Sequence, residues 1–184
     1  CGFNLTCVGD ERRYTLTKTP SGNTIADHSL NAAVIGLKKV KKHSFLKSKS
    51  DERQYCSPGI NLPVCAFSKS KEYPEYHTDK DDFKVVTQKG LDDSLGVMKA
   101  IIDAFELGIY PKSSFFCEPH LGKRNLYPTI SQKGNYSKQL RLRKNLISYS
   151  DGQNNIFQIA NIMNVPLKTI CEQYKLLKTK KILR

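Results

Sequence analysis

Leu62-Pro63-Val64-Cys65-Ala66-Phe67 is a short apolar run set between two polar loops, residues 47–58 and 69–82. Its length and the turn formers around it read as a buried strand. Upstream, Phe3-Asn4-Leu5-Thr6-Cys7-Val8 reads the same way, closed by Gly9-Asp10 as a turn, and Tyr14-Thr15-Leu16-Thr17 alternates like a second strand. Residues 31–41 carry Ala32, Ala33, Ile35, Leu37 and Val40 and predict a helix. Asp27 or Ser29 is its cap, and Lys38, Lys39, Lys41 and Lys42 form a solvated C-terminal end. Residues 91–107 place Leu91, Leu95, Val97, Met98, Ile101, Ile102 and Phe105 at amphipathic helical spacing. Strand, helix, strand, helix in this order implies an α/β layered unit over residues 1–118.

Residues 119–137, rich in Pro, Gly, Asn and Ser, read as a connector. Beyond it the pattern turns helical over residues 140–148, 156–163 and 167–178. Asp151-Gly152 and Asn164-Val165-Pro166 are the turns, with Pro166 suited to a first helical position. Leu167, Ile170, Cys171, Tyr174 and Leu177 share one face of the last helix, and Lys181-Ile182-Leu183 begins a strand. Three short helices and a strand over residues 138–184 describe a winged helix-turn-helix with a short or missing wing.

The chain has 184 residues, 39% of them hydrophobic, which suffices for a core and excludes disorder throughout. No window approaches the roughly 18 apolar residues of a membrane span. The net charge of +13 is uneven: residues 1–118 carry +2, residues 119–137 carry +3, and residues 138–184 carry +8. A nucleic-acid argument therefore concerns the last segment, and a solvated lysine-rich surface is the plainer reading of it. Six widely spaced cysteines contain no Cys-x-x-Cys pair, which argues against a structural zinc site. With no export signal at the start, reduced thiols in a cytoplasmic protein are expected. The opening Cys1-Gly2-Phe3-Asn4 without an initiator Met reads as a fragment. Such a fragment is expected to expose an apolar sheet edge near Leu5 and Val8 and to associate into oligomers.

Two loops concentrate polar residues: Ser50-Asp51-Glu52-Arg53-Gln54-Tyr55-Cys56-Ser57-Pro58-Gly59, and Tyr73-Pro74-Glu75-Tyr76-His77-Thr78-Asp79. Each adjoins a predicted strand end, where open α/β sheets place ligands. His77, flanked by aromatics, suits a metal ligand or an ordinary loop histidine. These two stretches, with Gly59-Ile60-Asn61-Leu62-Pro63 and Glu118-Pro119-His120-Leu121-Gly122-Lys123-Arg124, resemble the C-terminal part of bacterial zinc aminopeptidase-like proteins of the leucyl aminopeptidase superfamily. They resemble most closely a subfamily of poorly known function that ends in a winged helix.

The resemblance implies a partial three-layer α/β hydrolase fold and hydrolysis of a peptide or amide bond by a zinc-bound water. It makes His77 a zinc ligand and Asp51 a supporting or pocket residue. Glu52 and Arg53 face the cleft and hold a substrate terminus, and Tyr55 lines the pocket or simply packs. No catalytic residue is assigned. Thr6 stands where the family carries a metal-binding Asp, with Asp10 as a possible compensating carboxylate. The remaining ligands of the family's site precede Cys1, so the chain by itself is expected to be inactive. Zinc is expected in the intact parent and weakly or not at all in this chain. The competing reading is a DNA- or partner-binding module working through the winged helix. Lys168, Thr169, Glu172, Gln173 and Lys175 would face the groove, though nucleic acid is not the favoured partner.

Overall fold

Four strands form one sheet in the computed structural model, which describes residues 1–127 and 133–184, the side chains of residues 133–137 excepted. They are β1 Gly2–Leu5, β2 Tyr14–Thr17, β3 Val40–His43 and β4 Val64–Ser68, in the order β1-β4-β2-β3. β4 pairs parallel with β1 and antiparallel with β2, and β2 pairs parallel with β3. All five residues of β4 are buried, the consequence of an apolar run with a neighbour on either side.

The two faces of the sheet differ. Leu16, Cys65 and Phe67 lie in the core, and α1, Ile25–Ala33, buries Ala26, Asp27 and Leu30 beside β4. The other face carries Asn4, Ala66, Thr17 and His43 in one row across the four strands, with Thr15 and Ser68 paired beyond it. This second face bears the candidate site.

α1 is not the predicted helix over residues 31–41. A capping box fixes its start at Thr24, whose hydroxyl accepts from the Asp27 backbone N–H while the Asp27 carboxylate accepts from the Thr24 backbone. The chain then turns through Gly36 at φ 86°. Val40 and Lys41 pair with Tyr14 and Thr15 in a strand. The lysines that read as a helix tail instead blunt the outer edge of the sheet.

A 3-10 turn, Phe45–Lys47, leads into the 47–58 loop, which contains a one-turn helix, α2 Glu52–Tyr55. α3 spans Gln88–Leu107, and a Cβ on Gly90 would lie 1.9 Å from the Gly9 carbonyl oxygen. Only a glycine permits that approach, which locks α3 to the chain leaving β1. The Thr87 N–H and the Ser94 hydroxyl reinforce it on the Gly9 and Val8 carbonyls at 2.9 and 2.6 Å.

The described residues divide within α3 into two units, Cys1–Ile102 and Asp103–Arg184. In the second, Phe105 packs on Phe157 with ring centroids 5.1 Å apart. Its helices are α4 Lys133–Tyr149, α5 Ile156–Met163 and α6 Leu167–Thr179. Of the predicted connector, residues 128–132 lie outside the described residues, and a 3-10 turn covers Leu121–Arg124. α5 starts with a capping box between Asn155 and Gln158 and ends at Asn164 in the left-handed region. Pro166 is the residue before the first turn of α6 rather than within it. The buried face of α6 is Leu167, Ile170, Cys171, Tyr174 and Leu177, as its spacing predicts.

The chain near Leu183 folds back onto Ser113, and Lys112 and Arg184 exchange both backbone hydrogen bonds at 3.0 and 2.9 Å. Ser113 also donates to the Ser150 carbonyl. The segment before the helices thus supplies the pairing partner that a wing provides. All six thiols are free, and among the described residues no helix is long and apolar enough to cross a membrane.

Candidate functional site

On the polar face of the sheet lies a cavity of about 410 Å³. Its floor is Thr6, Thr17, Ala66 and Ser68. Lys49, Ser50 and Glu52 form one wall, and Lys71, Glu72, Tyr73 and Tyr76 the other. The two loops picked out in the sequence therefore meet at one place. The first is anchored by Cys56, whose thiol donates to the carbonyls of Leu62 and Val64 at 3.2 and 3.3 Å, tying α2 to the start of β4.

Glu52 is buried at 1% exposure and accepts from the Ser48 hydroxyl at 2.5 Å and the Asn4 amide at 2.6 Å. Burial pushes its carboxyl up, but these hydrogen bonds outweigh burial and leave it below its ordinary value. Glu52 therefore stands as a fixed carboxylate joining β1 to the loop. Asp51 and Tyr55 line a separate cavity of about 400 Å³ with Asn4, Leu62 and Val64. Arg53 lies over the Phe45 ring at 5.5 Å and reaches the Ser48 carbonyl at 3.4 Å. It is not among the residues lining either cavity.

His77 is exposed, sits at φ 60°, and stacks on Tyr76 with centroids 3.9 Å apart. A left-handed backbone at a non-glycine residue costs about 1–2 kcal/mol, and a loop held at both ends bears it. Tyr73 meets Tyr76 edge-on at 5.5 Å and donates its hydroxyl to Asp81 at 2.7 Å, while Arg12 pairs with Glu75 at 2.8 Å. Burial, and then the Asp81 hydrogen bond, raise the Tyr73 phenol above its ordinary value. Asp10 is buried and occupied: its two oxygens accept from the Ser70 backbone, the Ser70 hydroxyl and the Arg12 backbone. It pins the start of the second loop. Among the described residues, no three His, Cys, Asp or Glu side chains converge as a metal set would.

Sequence reasoning passed over Ser48, Thr17, Ser68, Lys49 and Lys71. Only the sheet register could have singled out Thr17 and Ser68, because alternation along one strand does not say which face meets the loops. Lys71 is half-buried; burial lowers its ammonium, with Glu52 and Glu72 opposing. Burial likewise lowers His43 on β3, with Lys41 and Lys71 adding to the effect. Hydroxyls, ammonium groups and a fixed carboxylate around one polar cavity can orient a polar substrate by several directed hydrogen bonds.

Residues 1–108 match the family described as a domain of unknown function (DUF4910), and residues 109–184 match a winged helix-turn-helix family. A Clostridium acetobutylicum protein named "Putative polysaccharide biosynthesis protein with aminopeptidase-like domain" is 32% identical over 166 residues, covering 86% of this chain and 37% of its own length. The crystal structure of a "putative peptidase" from Clostridium acetobutylicum matches with a TM-score of 0.82 and 26% identity, over 100% of this chain and 41% of that one. The chain thus spans about two fifths of the length of these relatives.

Proposed function

We propose a function from the premise that the chain belongs to the DUF4910 family and carries a winged helix-turn-helix domain after it. It is the substrate-holding part of an aminopeptidase-like hydrolase acting on a peptide or amide bond. The intact protein has the three-layer fold of such enzymes, depends on zinc and works in the cytoplasm. The observation that carries this reading is the convergence of the Ser50–Glu52 and Lys71–Tyr76 stretches on one polar cavity. The names of the two relatives support the reaction class.

The residues described here do not by themselves fit a zinc ion. Thr6 is neutral where the resemblance puts a metal-binding Asp, Asp10 is engaged with Ser70, and no set of three donors converges. His77 offers a single ring, held by Tyr76 on a strained turn. Its companions would have to come from polypeptide outside residues 1–184, and the chain alone is inactive on this reading. The chain's own residues shape and orient: Glu52 fixes β1 to one wall, and Tyr73 and Tyr76 form the other. Asp51 and Tyr55 extend the surface into the neighbouring cavity.

The test is His77→Ala in a full-length protein containing this segment. Bound zinc and peptide hydrolysis are expected to fall together by at least about tenfold, since a catalytic zinc has few protein ligands to lose. Unchanged metal content would return His77 to an ordinary loop residue. A second reading, nucleic-acid binding, draws on the exposed Lys168, Glu172 and Lys175 of α6. Gln173, however, is held by Arg143 at 3.0 Å, so one of the groove-facing candidates is already engaged. Weak, salt-sensitive association with DNA is the outcome expected of this surface.

A further inference from the structure

Resting on the peptidase-like reading, the polar cavity also narrows the substrate. Thr17 and Ser68 on its floor are 3% and 7% exposed, and neither hydroxyl has a hydrogen bond among the described residues. Of the two ammonium groups lining the cavity, Lys49 is paired with Glu72 at 2.5 Å. Lys71 donates to the Lys47 carbonyl and, among the described residues, has no carboxylate in ion-pair contact, with Glu52 and Glu72 acting on it from further off. Glu52 is turned to Ser48 and Asn4. One cation out of ion-pair contact, beside two hydroxyl donors, matches a ligand group with one negative charge and two acceptor oxygens. A dianion such as phosphate would bring a second charge toward Glu52 and Glu72, while the other lysine lining the cavity, Lys49, is already paired.

We propose that this cavity binds a carboxylate of the substrate, received by the Lys71 ammonium and the Thr17 and Ser68 hydroxyls. The substrate class is then a short peptide or amide bearing a carboxylate. Of the pair the sequence offered for a substrate terminus, Arg53 lies over Phe45 and Glu52 is turned to Ser48 and Asn4.

Calorimetric titration of the full-length protein tests this with three probes: the monoanion butyrate, N-acetyl-alanyl-glutamine with its single free carboxylate, and the neutral N-acetyl-alanyl-glutamine amide. Both carboxylates are expected to bind, and the neutral dipeptide at least about tenfold more weakly, the scale of one charge-assisted hydrogen bond. Lys71→Met is expected to remove that preference and Lys71→Arg to keep it. Thr17→Val should weaken the carboxylates several-fold without changing the neutral probe. Equal affinity for charged and neutral dipeptides, or a preference that survives Lys71→Met, overturns the proposal while leaving the peptidase reading intact. Lys71-dependent binding of butyrate with no binding of either dipeptide supports the carboxylate site and tells against the peptide reading.

Discussion

The two units hide different things. In the second, the buried set is apolar: Ile156, Phe157, Ile159, Ile170 and Leu177 are 0% exposed, and Ser150 and Asn155 are its only buried polar residues among those described. The first buries Asp10, Asp27, Glu52 and Lys69, together with Thr15, Thr17 and Ser68. Each such group costs several kcal/mol unless it is bonded or, like Thr17 and Ser68, opens onto a cavity; the figure is about 2–7 for a neutral group. Asp27 accordingly takes hydrogen bonds from Thr19 and Thr24 as well as from the Cys65 thiol. An apolar interior can be filled by many sequences, whereas a polar one must be wired group by group. The first unit carries that cost on both faces of its sheet, at Asp27 beside α1 and at Glu52 where the motif loops meet, and the second works as a packed helical body.

Three measurements break or sharpen the contrast. The largest effect is expected from Phe157→Ala, which empties a site 0% exposed and removes the partner of Phe105. A loss of about 3–5 kcal/mol is the scale for such a truncation, read by urea denaturation followed in the far ultraviolet. A loss under about 1 kcal/mol would mean that the apolar interior of the second unit is not what holds it.

Next comes Glu52→Gln, expected to cost about 1–3 kcal/mol because Ser48 and Asn4 would lose a charged acceptor. The pH dependence has a definite sign. Glu52 and Asp27 both lie below their ordinary values of 4.5 and 3.8: burial raises each, and hydrogen bonds lower each by more. Their contribution is complete above those values and is lost as pH falls through the depressed folded-state values. The first unit is therefore expected to lose stability in acid below about pH 4, with Glu52→Gln flattening that limb. An acid limb unchanged by the substitution would remove Glu52 from the account.

The smallest effect is expected from Leu95→Glu. Leu5, Leu91, Leu95 and Ile102 are 50%, 42%, 64% and 58% exposed, and Leu5, Leu91 and Leu95 line an apolar groove of about 360 Å³ between β1 and α3. Stability should change by no more than about 0.5 kcal/mol, while self-association seen by light scattering should fall. A large destabilisation would show Leu95 to be packed rather than surface.

The sequence was most readable where one period ran uninterrupted. α5 and the apolar face of α6 match the spacing residue for residue, and Tyr14–Thr17 alternates over its whole length as β2. Residues 31–41 misled because charge masked the period. Val40-Lys41-Lys42-His43 resembles the basic end of a helix, yet it is an edge strand whose partner lies about 25 residues upstream in β2. The Thr24 capping box was present to be read but was passed over for Asp27 as the cap itself. At the site, the motif loops were visible in order and content. What they hold was not, because Thr17, Ser68 and Lys71 come together only through sheet register and a loop path.

The mutual pairing of Lys112 and Arg184 has a topological consequence. Residues exchanging both hydrogen bonds in an antiparallel pair have Cα atoms about 5.5 Å apart. Lys112 and Arg184 therefore lie side by side, like the two sides of a loop drawn closed at its neck. A segment with adjacent ends can be spliced into a surface turn of an unrelated host without stretching either partner. The neck does not enclose everything the helices need, since Phe105 and Ile109 lie before it and contact Phe157 and Ile156; a transplant would have to carry the end of α3 as well.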